Sequence, residues 1–152
     1  MTDILLRPIG LDDAGEVLTL QRAAYASEAQ IYGDPFLPAL TQTLDELRIE
    51  LSGGDGLVAG IGHRIVAAVR WTIAGDRVHI GRLTVAPDQQ GRGLGTLLLR
   101  EAMARSGTSS AELFTGHLSE ANLRLYVREG FAEIRRERLR EGVELVYLAK
   151  AL

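Results

Sequence analysis

The stretch Gln90-Gly91-Arg92-Gly93-Leu94-Gly95-Thr96 is the most informative part of this sequence. It lies between a segment rich in β-branched residues, 78–85, and a helical pattern that begins at Leu94. Three glycines within five residues permit backbone conformations closed to other residues and let a bulky ligand approach the chain. The following helix directs free N–H groups and its positive dipole end to the same place. The stretch therefore predicts a site for a phosphate or pyrophosphate group.

Two common phosphate-binding patterns do not fit this stretch. A P-loop has a lysine and then Ser or Thr after its last glycine, whereas Thr96 follows Gly95 directly. The dinucleotide fingerprint G-x-G-x-x-G fails as well, because the third glycine position holds Thr96 when counted from Gly91 and Leu98 when counted from Gly93. A turn without a ligand is disfavoured, because glycines at a helix start cost about 0.5–1 kcal/mol each relative to alanine.

Outward from this stretch, the hydrophobic periodicity predicts the element order β-α-α-β-β-β-α-β-α-β-β. The segments form one mixed α/β (α+β) domain over residues 1–152, without linker, repeat or low-complexity tract. The order is not an alternating βαβ chain, which argues against a doubly wound dinucleotide-binding fold. Strands are predicted at about 4–9, 57–61, 65–73, 78–85, 111–115, 132–139 and 143–149, and four helices at about 14–26, 44–51, 94–106 and 120–129.

Short polar signals mark the predicted helix ends. Asp13 with Glu16, and Thr43 with Glu46, have the spacing of capping boxes. Ser119 is the predicted cap of the last helix. The segment 25–39 contains glycine, aspartate and two prolines, so it is predicted to be an irregular connection.

Composition excludes several classes of protein. The 152 residues are 46% hydrophobic and 24% charged, which is typical of a soluble globular chain, and no apolar run approaches the length of a membrane span. The start, Met1-Thr2-Asp3-Ile4, lacks the features of a signal peptide, so we expect a cytoplasmic protein. The absence of cysteine excludes disulfides, zinc–thiolate sites and cysteine nucleophiles. A net charge of −3 argues against nucleic-acid binding, and His63 and His117 have no partners at metal-ligand spacing.

Three motifs resemble the GNAT family of N-acetyltransferases. Gln90-x-x-Gly93-x-Gly95 matches the family signature Q/R-x-x-G-x-G/A for acyl-CoA, and the preceding 80–87 is similar to the family's fourth strand. Downstream, Asn122-x-x-Leu125-Tyr126-x-x-x-Gly130-Phe131 is similar to the family's second motif. The resemblance covers about residues 78–131 by motif and the whole chain by element order.

The resemblance implies a mostly antiparallel, seven-stranded mixed sheet that splays between its fourth and fifth strands. The pantetheine arm of acetyl-CoA would lie in that cleft and pair with the backbone of Leu83, Thr84 and Val85 as an added strand does. Asn122 and Leu125 would line the arm. Arg92 and Arg128 would reach the outer phosphates, unless they are ordinary surface residues. The pyrophosphate would be held by backbone groups of Gln90, Gly91, Arg92, Gly93, Leu94, Gly95 and Thr96.

Tyr126 is the candidate general acid. It lies four residues after Asn122, so the two side chains share one helix face. A tyrosine hydroxyl, with an ordinary pKa of about 10, can protonate a departing thiolate. The alternative is a packing role, because Leu123, Tyr126 and Val127 form an apolar stripe.

His79 is the candidate general base. Many family members have a glutamate on the fourth strand, and the matching position, six residues before Val85, holds His79 here. On an unbroken strand those two residues share a face, and imidazole is a competent base near neutral pH. A bulge near Leu83 would instead aim Ile80 or Arg82 inward. Glu28 is the rival base.

The acceptor pocket is expected between the first-to-second helix connection, the third and fourth strands and the last hairpin. Aromatic and acidic side chains would suit a cationic amine, whereas Arg70 and Arg82 would suit a carboxylate, and both alternatives stay open. The charged run 135–141 is predicted to face solvent. The candidate acceptor-binding residues are Tyr25, Glu28, Tyr32, Asp34, Trp71 and Arg82.

Together these features predict an enzyme that moves an acetyl group from acetyl-CoA to a primary amine of a small molecule or protein. The amine would attack directly in a ternary complex, because no cysteine is available for a covalent intermediate. Two alternatives are a non-catalytic acyl-CoA-binding or regulatory module of the same fold, and an unrelated phosphate-ligand binder. The predicted partner is the amine acceptor, with neither nucleic acid nor membrane, and a homodimer is compatible with the sequence.

Overall fold

Seven strands form one continuous sheet within residues 3–152, which the computed structural model describes; Met1 and Thr2 of the predicted domain lie outside these described residues. Their spatial order is β1-β2-β3-β4-β5-β7-β6. Only β4 and β5 are parallel, so the sheet is mixed and mostly antiparallel, as predicted. The strands are β1 Leu5–Pro8, β2 Asp55–Ile61, β3 Arg64–Ala74, β4 Arg77–Val85, β5 Ser110–Gly116, β6 Ala132–Arg140 and β7 Val143–Ala151.

The described chain contains five α-helices rather than the four predicted, because residues 38–41 add a short one. The first helix also continues to Tyr32 instead of ending near residue 26, and Gly33 ends it in a left-handed conformation with φ 59°. Residues 25–32 are therefore helical. No helix in residues 3–152 has both the length and the apolar composition needed to cross a bilayer. The helices are α1 Ala14–Tyr32, α2 Pro38–Thr41, α3 Leu44–Gly53, α4 Leu94–Ser106 and α5 Glu120–Arg128.

The two predicted capping boxes have different outcomes. Thr43 and Glu46 form theirs: the Glu46 N–H donates to Thr43 Oγ1 at 3.1 Å, and the Thr43 N–H donates to Glu46 Oε1 at 2.8 Å. The box at Asp13 is wrong. Its carboxylate pairs instead with Arg7 at 2.7 Å, and Glu16 accepts from a backbone N–H of β3 at 2.8 Å. Glu16 thus ties α1 to the sheet.

Helices cover both faces of the sheet and create two cores. On one face α4 buries Leu98 and Leu99 completely against the central strands, and α5 adds to the same cluster. On the other face α1 and α3 bury Val17 and Leu47 against β2 and β3. The burial of these apolar side chains holds the helices at fixed positions beside β4.

The sheet divides between β4 and β5, as predicted. These strands pair only over residues 77–79 and 110–112. Beyond His79 and Glu112 the two strands separate, and α5 follows β5 along the far side of the opening. The separation leaves a cleft within the sheet.

A bulge interrupts β4 at the start of this cleft. Ala68 of β3 pairs with Thr84, but Arg70 pairs with Gly81, so β4 contains one more residue than β3 between the two pairs. Arg82 lies in the bulge with φ 51°, a left-handed conformation that is uncommon for a residue other than glycine.

The bulge changes which residues of β4 share a face. Val78 and Ile80 pack into the α4 core, so His79 between them points to the opposite face. Val85 packs against the α4 core as well. The expectation that His79 and Val85 share a face is therefore wrong, because the strand is not continuous between them.

Candidate active site

A cavity of about 400 Å³ lies at the glycine-rich turn, and we refer to it as the turn cavity. It is enclosed by β4, the start of α4, one face of α5 and the last part of α1. Among the predicted CoA-binding residues, it is lined by Leu83, Thr84, Val85, Gln90, Gly91, Gly93, Leu94, Gly95, Thr96, Asn122, Leu125 and Arg128. Arg92 is exposed and does not line the cavity.

The backbone of the turn suits an anion. Gly91 and Gly93 have φ of 78° and 81°, and a Cβ built on either would meet no atom within 4 Å, so the space beside them is open. The first hydrogen bond of α4 runs from the Leu97 N–H to the Gly93 carbonyl at 3.0 Å. The N–H groups of the preceding residues have no partner within the helix, which makes this end of α4 a favourable position for negative charge.

The absence of a side chain at Gly95 leaves space in the turn cavity between β4 and α5. A Cβ at this position would lie 3.7 Å from Leu125 of α5 and 3.9 Å from Val85 of β4, so it would fill the gap between the two elements. The missing side chain leaves this space as part of the turn cavity, which Gly95, Leu83, Val85 and Leu125 all line.

A second cavity of about 340 Å³ lies where β4 and β5 separate, and we refer to it as the cleft cavity. It is formed by the end of α1, the following loop, the β4 bulge, β5, α5 and the β6–β7 hairpin. Four residues line both cavities: Tyr25, Glu28, Leu83 and Asn122. The two spaces therefore meet at one wall, and an elongated ligand in the turn cavity would reach the cleft cavity.

Tyr126 is buried at the inner end of the cleft cavity, with 7% of its surface exposed. Its ring contacts Phe131 edge to face, with 6.1 Å between centroids. Burial raises the pKa of its hydroxyl well above the ordinary value of 10.0, and nearby Tyr25 and Glu28 raise the pKa further. The hydroxyl therefore keeps its proton at neutral pH.

A series of hydrogen bonds links the loop between β5 and α5 to α1 beside the cleft cavity. The Leu118 N–H donates to the Tyr32 hydroxyl at 3.1 Å, Tyr32 and Ser119 Oγ are 2.7 Å apart, and Ser119 donates to Glu28 Oε2 at 2.6 Å. The single hydroxyl hydrogen of Ser119 is donated to the Glu28 carboxylate, so in the hydrogen bond between Tyr32 and Ser119 the Tyr32 hydroxyl is the donor. Ser119 was predicted as a helix cap, but its hydroxyl makes no cap bond to α5 and instead positions Glu28.

Gly116 makes room for this series of hydrogen bonds. A Cβ at Gly116 would overlap the hydroxyl and ring of Tyr32. No larger residue at this position is compatible with the observed placement of Tyr32 unless the tyrosine moves.

Arg140 also reaches the cleft cavity, although the run 135–141 was predicted to face solvent. Its guanidinium lies 3.6 Å from Asp34 and donates to the Tyr32 carbonyl at 3.4 Å. Alternating charge in the sequence does not distinguish this arginine from its solvent-facing neighbours. Arg82 lines the same cavity from the β4 bulge.

His79 and Trp71 line neither cavity. His79 lies in an adjoining groove of about 270 Å³ beside α3, with Nδ1 3.3 Å from Glu112 Oε2. This groove and the cleft cavity share Ile80, Gly81, Arg82 and Phe114 in their linings. Trp71 is 7% exposed and belongs to the α4 core. Within residues 3–152, no three His, Asp or Glu side chains come together as a group that could hold a metal ion.

Residues 23–152 match the family model described as an acetyltransferase (GNAT) domain. The chain belongs to the GNAT acetyltransferase family. Family membership supports acetyl transfer as the class of activity, and it agrees with the divided sheet and the glycine-rich turn. No curated protein sequence matches the chain.

Solved structures of GNAT proteins share this fold at low sequence identity. The PaiA N-acetyltransferase from Thermoplasma acidophilum, solved in complex with coenzyme A, is 16% identical, with a TM-score of 0.79 over 99% of each chain. The ribosomal-protein-alanine N-acetyltransferase from Brucella melitensis is 17% identical, with a TM-score of 0.76 over 97% of this chain and 99% of that one. The IAA acetyltransferase from Bacillus cereus is 22% identical, with a TM-score of 0.70 over 99% and 100%. These similarities establish the fold.

Proposed function

We propose that this GNAT protein transfers an acetyl group from acetyl-CoA to a primary amine by direct attack in a ternary complex. The observation that carries the proposal is the wall of four residues common to the turn cavity and the cleft cavity. Such an arrangement suits a long ligand with phosphates at one end and a thioester at the other. The neighbour from Thermoplasma acidophilum, solved with coenzyme A, supports this assignment.

The residues present fit acetyl-CoA, because the first N–H groups of α4 have no partner within the helix and Gly95 leaves space in the turn cavity that a Cβ would fill. The turn 90–96 would hold the pyrophosphate, with Arg128 beside the outer phosphates. The backbone of 83–85, together with Asn122 and Leu125, would hold the pantetheine arm. Bound there, acetyl-CoA would supply an acetyl thioester.

Two side chains would handle the protons of the reaction. Glu28 would receive the proton that the amine loses as the new C–N bond forms, and Tyr126 would give its hydroxyl proton to the sulfur as the C–S bond breaks. Exchange with solvent would then restore both groups. Ser119 engages Oε2 of Glu28, so Oε1 would take the amine proton.

Glu28 replaces His79 as the proposed base for a geometric reason. A base must lie within hydrogen-bond reach of the proton that it removes. Glu28 lines both cavities, whereas His79 lines neither and lies in the adjoining groove, with Nδ1 3.3 Å from Glu112 Oε2.

A thiol-release assay with acetyl-CoA and a panel of primary amines tests this function, with CoA affinity measured in parallel by calorimetry. We expect CoA binding and amine-dependent release of thiol, and Glu28→Gln should lower turnover by about 10²–10⁴-fold. Glu101→Gln is the matched control, because Glu101 pairs with Arg105 on the surface of α4.

The same measurements separate the alternatives. CoA binding without amine-dependent thiol release across the panel would favour a non-catalytic acyl-CoA-binding module. Binding of ATP or another phosphate compound in the absence of CoA binding would favour an unrelated phosphate binder.

A further inference from the structure

Resting on the function proposed above, we propose that the acceptor is a small amino carboxylate, such as an amino acid, and that Arg82 binds its carboxylate group. The sequence left open whether the acceptor pocket favours a cationic amine or a carboxylate. The charged side chains of the cleft cavity that are not paired with each other favour an acceptor that carries both an amine and a carboxylate.

The cleft cavity contains two acidic and two arginine side chains. Asp34 and Arg140 are paired with each other at 3.6 Å. The remaining two, Glu28 and Arg82, form no ion pair with each other. One anion and one cation are thus available to a ligand, and a molecule with both an amine and a carboxylate is complementary to them.

Arg82 lacks any partner of its own. Within residues 3–152 it forms no ion pair or hydrogen bond, and its Nε is buried without a partner. The Tyr25 ring lies 5.9 Å from the guanidinium carbon, which is the outer limit of a cation–π contact. Buried donors in proteins are almost always satisfied, so the Arg82 guanidinium is the group in this cavity whose hydrogen bonds a bound carboxylate would supply.

Arg70 on the neighbouring strand shows the contrast. It is buried and satisfied, with Nε donating to Glu50 and Nη1 donating to Gln21 at 3.0 Å. Glu50 already forms an ion pair with Arg70. The group of Glu50, Arg70 and Arg82 therefore has a net charge of +1, and the unpaired charge is that of Arg82. Of the two arginines that the sequence offered for a carboxylate, only Arg82 lines the cleft cavity.

The backbone of Arg82 supports a functional rather than an incidental position. Among residues 3–152 it is the only residue other than glycine with positive φ, at 51°. Such conformations are costly and persist where the surrounding structure requires them, often at binding sites. The bulge places Arg82 in the lining of both the cleft cavity and the adjoining groove beside α3, and a guanidinium can bind a carboxylate through two parallel N–H groups.

Matched compounds test the proposal: leucine, leucinamide and isoamylamine, together with the corresponding trios of phenylalanine and methionine. The wild-type protein should acetylate the acids with a kcat/KM about 10²-fold above that of the analogues without a carboxylate, because those analogues lose the charge pair with Arg82. In Arg82→Gln this preference should fall towards unity while CoA affinity is unchanged. Arg138→Gln, on the exposed face of β6, should keep the preference.

The outcomes separate this proposal from the function on which it rests. Equal kcat/KM for the acids and their amides in the wild type would overturn the carboxylate assignment and leave acetyl transfer standing. A preference for the acids that survives in Arg82→Gln would overturn the role of Arg82. Thiol release with none of the amines, despite CoA binding, would overturn the proposed function and this inference with it. If Arg82→Gln does not fold, the comparison of acids with their amides on the wild-type protein still decides whether the acceptor needs a carboxylate.

Discussion

The turn cavity and the cleft cavity are built in different ways. The proposed phosphate-binding end of the turn cavity is lined by six residues of the short stretch 90–96 and would act through backbone N–H groups. The cleft cavity draws side chains from α1, β4, β5, α5 and the β6–β7 hairpin, which lie far apart in the chain. Tyr32 and Ser119, which contact each other directly, are separated by 87 residues.

The difference teaches which kind of site a sequence can reveal. A backbone site depends on local conformation, so glycines at a fixed spacing are sufficient to indicate it. A side-chain site depends on distant segments meeting at a certain distance and orientation, which no local pattern reports. Substitutions in the turn cavity should therefore change CoA affinity, whereas substitutions in the cleft cavity should change turnover of the amine.

The largest effect is expected in the cleft cavity for Tyr126→Phe. The change keeps the ring and its contact with Phe131 but removes the proposed proton donor. Turnover should fall by about 10²–10⁴-fold with CoA affinity nearly unchanged. Tyr147→Phe is the control, because the Tyr147 hydroxyl bonds Glu137 outside both cavities. Wild-type turnover in Tyr126→Phe would return Tyr126 to a packing role.

Tyr126 also makes a prediction about pH. Its pKa is raised above 10.0 by burial, so the folded protein keeps this proton through the pH range where an exposed tyrosine loses it. With an amine of low pKa as acceptor, turnover of the wild type should not decline on the alkaline side up to about pH 10. A decline centred between pH 8 and 9, absent in Tyr126→Phe at its lower rate, would contradict the raised pKa.

The second effect should be confined to the turn cavity. Gly93→Asp places a side chain and a negative charge at the start of α4, so CoA affinity should fall by at least about 10²-fold. Gly107→Asp is the control for backbone strain, because Gly107 ends the same helix with φ 67° in open space. Calorimetry on both folded variants measures the effect; equal CoA affinity in the two would refute the site.

A smaller effect is expected from Gly116→Ala. The new Cβ would displace the Tyr32 hydroxyl and break the hydrogen bonds that position Glu28, so kcat/KM for the amine should fall by about 10-fold, below the roughly 10²-fold that a 1 Å misplacement can cost. CoA affinity should be unchanged. Gly60→Ala is the control, since its Cβ would lie 3.6 Å from the nearest atom. Loss of CoA binding in Gly116→Ala would show that the two cavities are not separable in this way.

The smallest effect is expected for His79→Ala. His79 lines neither the turn cavity nor the cleft cavity, so its loss should change turnover by no more than about 2-fold and stability by about 0.5 kcal/mol. Glu28→Gln measured beside it gives the contrast for the base. A large loss of activity in His79→Ala, with the acid side of the pH–rate profile altered, would instead make His79 the base.

The sequence by itself determined the order of the elements, the divided sheet through the family resemblance, and the glycine-rich turn. Periodicity and glycine spacing are local properties, so they can be recognised in the sequence without knowledge of tertiary contacts. The same reasoning placed Thr43 and Glu46 in a capping box, because both partners lie within one helical turn. It ended α1 too early, because the connection was predicted to begin at residue 25, whereas 25–32 contain neither glycine nor proline and the helix continues until Gly33 ends it.

Only the tertiary structure decided which side chains meet in the cleft cavity. The bulge at Arg82 places His79 and Val85 on opposite faces of the sheet. The residue pattern of β4 does not indicate that β4 has one extra residue relative to β3. Ser119 and Arg140 joined the cavity through contacts with α1 and the loop that follows it. A one-residue change of register moves a side chain to the other face of a sheet. The identity of the proposed base therefore depends on pairing between strands, which a sequence alone does not contain.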